Sequence, residues 1–96
     1  MTQDNDAFLT REIQITNKFG LHARAAARFV SVASRFHSEI RVKHGSKEVN
    51  GKSIMGLMML AARCGTQLII LACGPDAEEA LATLSDLINE RFGEAE

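Results

Sequence analysis

His22 stands in Gly20-Leu21-His22-Ala23-Arg24, between a strand-like run and a strongly amphipathic stretch. This spacing brings an imidazole, a guanidinium and the first amides of a helix to one point. A helix N-terminus attracts anions through its unpaired N–H groups and its dipole, and an arginine adds a forked donor suited to phosphate. A nucleophilic nitrogen held in an anion site is what phosphoryl transfer to nitrogen requires, and the same field favours a dianionic phosphohistidine as product. Taken without its neighbours, His22 also fits a polar cap. Arg24 in the first turn and Gly20 before the ring, free to adopt a turned backbone, favour the chemical reading.

Ser53 is the second candidate. It follows the break Asn50-Gly51-Lys52 and heads the run Ile54-Met55-Gly56-Leu57-Met58-Met59-Leu60-Ala61-Ala62. Its side-chain oxygen can accept an orphan amide of the first turn. Leu57, Leu60 and Ala61 can fill a core, whereas Ile54, Met55, Met58 and Met59 cannot all point the same way. The surplus is either a flexible apolar docking surface or part of a wholly buried helix.

Other chemistry is poorly represented. Cys64 and Cys73 form neither a CxxC pair nor a zinc-finger pattern with a histidine, and both are expected as buried thiols. His22, His37 and His44 fall in separate segments without an HExxH signature, so no metal site is expected.

Elements that would position these residues are legible from periodicity. Phe8 to Ile15 alternates, with Leu9, Ile13 and Ile15 on one face, as in a half-buried strand. Ala26, Phe29, Val30, Ala33 and Phe36 keep helical spacing, which predicts a helix from His22 to His37. Glu39 to Lys43 and Lys47 to Asn50 form a hairpin about His44-Gly45-Ser46. A short helix over Ile54 to Ala62 is followed by Gln67 to Cys73, apolar enough for a central strand. Pro75 opens a last helix, Asp76 and Glu79 resemble a capping pair, and the spacing runs to about Phe92 before Gly93. The order βαββαβα with short connections points to an α+β layer pair: an antiparallel sheet with helices shielding one face.

At 96 residues this is a single domain, expected over 8–93 after a frayed tail over 1–7. The formal net charge of −1 disfavours a surface built to bind nucleic acid by bulk electrostatics. No apolar stretch approaches the roughly 20 residues of a membrane span, and the first residues lack a signal peptide's basic start, so a cytoplasmic protein without membrane insertion is expected.

The two candidate segments, Gly20-Leu21-His22-Ala23-Arg24 with Ala26 and Val30, and Asn50 to Met58, together resemble HPr, the histidine-containing phosphocarrier family of the bacterial phosphoenolpyruvate-dependent phosphotransferase system. The separation of His22 from Ser53 also matches the family, and the resemblance spans Phe8 to Phe92. It implies an open-faced β-sandwich, with a four-stranded antiparallel sheet covered on one face by three helices. It further implies that His22 accepts a phosphoryl group on Nδ1 from enzyme I and passes it to EIIA-type proteins for sugar uptake, with Arg24 steadying the phosphate. Such a protein is a carrier with a transient phosphohistidine rather than a stand-alone enzyme, and needs no metal or organic cofactor of its own. Ser53 corresponds to the serine modified by HPr kinase/phosphorylase, and Leu21, Ile54, Met55 and Met58 to partner-binding positions. One position departs: Ala25 stands where the family usually has proline. Two rival readings stay open: a carrier of the nitrogen-related or a purely regulatory branch, and a small module that binds a metabolite or partner without transferring anything.

Overall fold

In the computed structural model, residues 7–96 are described. Apart from Ala7, the expected N-terminal tail lies outside them. The elements are β1 (Leu9–Gln14), α1 (Ala23–Ala33), β2 (Glu39–His44), β3 (Lys47–Asn50), α2 (Ile54–Met59), β4 (Gln67–Cys73) and α3 (Ala77–Asn89). The strands form one antiparallel sheet in the order β1-β4-β2-β3. The open-faced sandwich is therefore the observed fold.

Period two explains the single core. Leu68, Ile70 and Ala72 of β4 and Ile40 and Val42 of β2 are buried on the helix side. Ile69, Leu71 and Cys73 point to the other face and remain half-buried. Against the buried face pack Ala26, Phe29 and Ala33 of α1, Leu57 of α2, and Ala80, Leu84 and Ile88 of α3. Burying such side chains contributes about 1.5 to 3 kcal/mol each for the larger ones.

Some boundaries differ from the sequence expectation. Leu9 was expected on the buried face, but it opens an edge strand and is exposed, while Ile13 is half-buried and Ile15 fully buried. α1 stops at Ala33 instead of His37. The chain tightens there through Arg35 N–H to Val32 O and Phe36 N–H to Ala33 O, which still lets Phe36 pack on the core. α2 ends at Met59 because Ala61 takes a left-handed φ of 52°, so Ala61 is exposed and Ala62 enters the core in its place.

The capping pair expected at α3 does not form. Asp76 occupies the N-cap position, but its carboxylate turns away from its own helix. It accepts the hydroxyl of Ser38 at 2.6 Å and the backbone amides of Ser38 and His37 at 2.9 and 3.0 Å. These donors hold its pKa down to about 2, and they fasten the α1–β2 loop to the start of α3. The cysteines also differ from expectation: Cys64 is exposed in the loop before β4, and Cys73 is half-buried on the uncovered sheet face.

α3 ends at Asn89, three residues earlier than its periodicity implies. Arg91, Phe92 and Gly93 then take left-handed φ values of 57°, 56° and 82°. Phe92 is nonetheless buried, so an apolar anchor sits inside the reversal. That reversal returns residues 94–96 toward the start of α1.

Candidate functional site

Gly20 makes the turn into α1 with φ +65°, a conformation glycine adopts without the penalty other residues incur. Leu21 then donates its N–H to Ala62 O at 2.9 Å, and its side chain is in the core. Leu21, a partner-binding position by the family resemblance, is buried beneath the junction. The exposed apolar side chain beside His22 is instead Phe19, at 65% exposure. The two rings meet edge to face, 5.9 Å between centroids.

His22 is the N-cap of α1 by its backbone, in extended conformation, and its carbonyl accepts from Ala26 N–H at 2.8 Å. Its imidazole makes no cap hydrogen bond. Ala23, Arg24 and Ala25 therefore begin the helix with first-turn amides that have no intrahelical acceptor, and α1 carries no acidic residue in that turn. Arg24 is exposed, and among the described residues no hydrogen bond or ion pair engages it. Ala25, in the position where proline is usual, is fully buried.

The imidazole is engaged from a distant part of the chain. Its Nε2 lies 2.7 Å from Oε2 of Glu94, and the other carboxylate oxygen accepts from Asn17 Nδ2 at 3.0 Å. Asn17 is fully buried, and its Nδ2 also donates to Gly20 O at 2.8 Å. Lys18 holds residue 96 by its N–H to Glu96 O at 2.6 Å and by an exposed ion pair of 3.2 Å, the latter contributing little in water. An open depression beside His22 is lined by Lys18, Phe19, Arg24, Arg28 and residues 93–96. It combines three cationic side chains with two carboxylates.

Ser53 caps α2 as its type implies, its Oγ accepting Gly56 N–H at 3.0 Å. Leu57 is buried beneath, while Ile54, Met55, Met58 and Met59 are exposed at 42, 72, 44 and 66%, which resolves the ambiguity of this helix in favour of an uncovered apolar face. The Leu21 to Ala62 bond joins the His22 junction to the chain just beyond α2. Asn17, Phe19 and Glu94 were not found from sequence. Asn17 and Phe19 adjoin the motif as ordinary turn residues, and Glu94 lies too far along the chain for any local pattern.

An open-faced sandwich with a histidine heading its first helix defines the class of small histidine-bearing phosphocarrier domains. The chain belongs to the PTS HPr family: the profile "PTS HPr component phosphorylation site" matches residues 9–90. It is similar to the "Phosphocarrier protein HPr" of Neisseria meningitidis serogroup A, 53% identical over 88 residues that cover 92% of this chain and 99% of that protein. It is also similar to the "Phosphocarrier protein NPr" of Shewanella violacea, 40% identical over 91% of this chain and 96% of the relative. Among solved structures, HPr from Thermoanaerobacter tengcongensis superposes with a TM-score of 0.88 at 49% identity, covering 92% of this chain and 99% of that one.

Proposed function

We propose that this protein carries phosphoryl groups on His22, taking them from the phosphohistidine of enzyme I and passing them to an EIIA-type protein in the cytoplasm for sugar uptake. The observation that carries this reading is the half-exposed imidazole at the open start of α1, beside first-turn amides with no acidic competitor on the helix. In the forward step the Nδ1 lone pair forms the new N–P bond while the donor's N–P bond breaks and its electron pair returns to the donor imidazole. Arg24, exposed and without a partner among the described residues, supplies a charged donor for the phosphate oxygens. Ile54, Met55 and Met58 form the docking face, and Ser53 is the regulatory phosphorylation site of HPr kinase/phosphorylase. No helix among the described residues is long and apolar enough to cross a membrane.

The relative named NPr supports a second reading, in which the same chemistry serves a nitrogen-related or regulatory branch. Incubation with phosphoenolpyruvate and enzyme I tests the carrier step. Wild type and Ser53→Ala acquire acid-labile phosphate and His22→Ala does not. Label surviving in His22→Ala overturns the acceptor, and an unlabelled wild type favours a module that binds without transferring. Transfer onward to sugar-type or nitrogen-type EIIA proteins, compared by rate, separates the two circuits.

A further inference from the structure

We infer that Glu94 is a positioning residue that sets the tautomer of His22, with Asn17 holding the carboxylate in place. The inference rests on His22 being the phosphoryl acceptor. A carboxylate only accepts hydrogen bonds, so Oε2 at 2.7 Å from Nε2 requires the proton to be on Nε2. The neutral ring then presents Nδ1 as the bare, nucleophilic nitrogen. The short distance is typical of a charge-assisted bond, and the Glu94 side chain is only 13% exposed, so solvent screens it weakly.

Asn17 fixes the other end. Its Nδ2 has two oxygen neighbours, Gly20 O at 2.8 Å and Glu94 Oε1 at 3.0 Å. A flipped amide would set oxygen against oxygen at both, so the orientation is determined by the network. Among the described residues the buried Oδ1 has no partner, a penalty the fold accepts while both amide hydrogens serve this corner. Glu94 thus has one oxygen committed to a buried donor and one to the ring.

This arrangement also suits the charge that transfer creates. When Nδ1 bonds to phosphorus the ring becomes cationic and keeps its Nε2 proton, which already faces Glu94. When the phosphoryl group leaves, the N–P electron pair returns to Nδ1 and the neutral Nε2–H tautomer is restored. No proton need move in either direction, and the carboxylate is oriented before the charge appears.

Glutamine distinguishes these roles, because its single amide oxygen cannot satisfy both Asn17 Nδ2 and His22 Nε2–H. With the oxygen kept by Asn17, the amide NH₂ faces Nε2 and drives the ring to the Nδ1–H form. The test is 15N-detected imidazole NMR on the full chain at alkaline pH, alongside the rate of phosphoryl acceptance from phosphorylated enzyme I. Wild type shows the Nε2–H tautomer. Glu94→Gln moves toward Nδ1–H with an unchanged melting midpoint and accepts phosphate about tenfold more slowly; Glu94→Asp, keeping two acceptor oxygens, recovers part of both. A wild-type Nδ1–H tautomer, an unmoved tautomer in Glu94→Gln, or a moved tautomer with an unchanged rate overturns the inference. A wild type with the Nε2–H tautomer that takes no phosphate upholds Glu94's hold on the ring and overturns the acceptor reading instead.

Discussion

Gly20 passes so close to Ala62 that a Cβ at position 20 would collide with the Ala62 carbonyl oxygen. The same oxygen accepts the N–H of Leu21 at 2.9 Å. The turn that delivers His22 and the chain leaving α2 are thus in direct backbone contact, and neither can shift independently.

Gly20→Ala is accordingly expected to destabilise the fold by about 2 to 5 kcal/mol. Left-handed backbone costs an alanine about 1 to 2 kcal/mol, and overpacking against an atom that cannot rotate away adds about 1 to 3. Urea unfolding of both proteins measures this. A loss below about 1 kcal/mol would mean that the junction yields easily.

Ala25→Pro should leave phosphoryl acceptance within about tenfold of wild type, a barrier change of about 1.4 kcal/mol. Ala25 lies in the first turn, where its N–H has no intrahelical acceptor, so proline removes no helix bond. The side chain is completely buried, and the ring must fit that space. Initial rates with phosphorylated enzyme I decide the matter; a larger change in either direction would give Ala25 a role of its own.

Ser53→Ala removes the bond to Gly56 N–H and is expected to cost about 1 kcal/mol of stability while His22 still charges. A phosphate at Ser53 would add about −1.5 to −2 charges at pH 7 next to the exposed methionines, opposing a dry or acidic partner. Ser53→Asp and a stoichiometrically phosphorylated sample should both accept phosphate more slowly. Unmodified rates in both would remove the case for regulation at this serine.

Asp76 gives a pH dependence of known sign. Its pKa is lowered in the fold from 3.8 to about 2, so its contribution is fully present above the unfolded value and is lost as pH falls from about 4 through about 2. Asp76→Asn should be less stable at neutral pH and should lack that portion of the acid loss. Urea midpoints compared across this range check it; parallel curves for the two proteins would contradict the assigned cause.

The local part of the molecule was legible in the sequence. The apolar run of Gln67 to Cys73 and the helical spacing through Phe29 and Ala33 identify their elements because both meet a common core. Ser53 as a cap was readable because the bond is made within four residues. Errors arose where distant partners take over. Asp76 has the sequence of a helix cap, but Ser38 and His37 offer it three donors. Leu9 alternates like a core residue, but an edge strand leaves it uncovered. The carboxylate on His22 has no local signature because three left-handed residues after α3 deliver it.

The bond from His22 to Glu94 spans 72 residues of sequence. Closing so long a loop is among the costliest steps in chain entropy, and nothing local rewards it until the sheet and α3 are assembled. The complete constellation at the imidazole is therefore a property of the cooperative fold and not of the Gly20 to Arg24 segment. A peptide carrying that segment would possess the histidine without its carboxylate, and a chain frayed at the end of α3 would lose the contact while the sheet stayed intact.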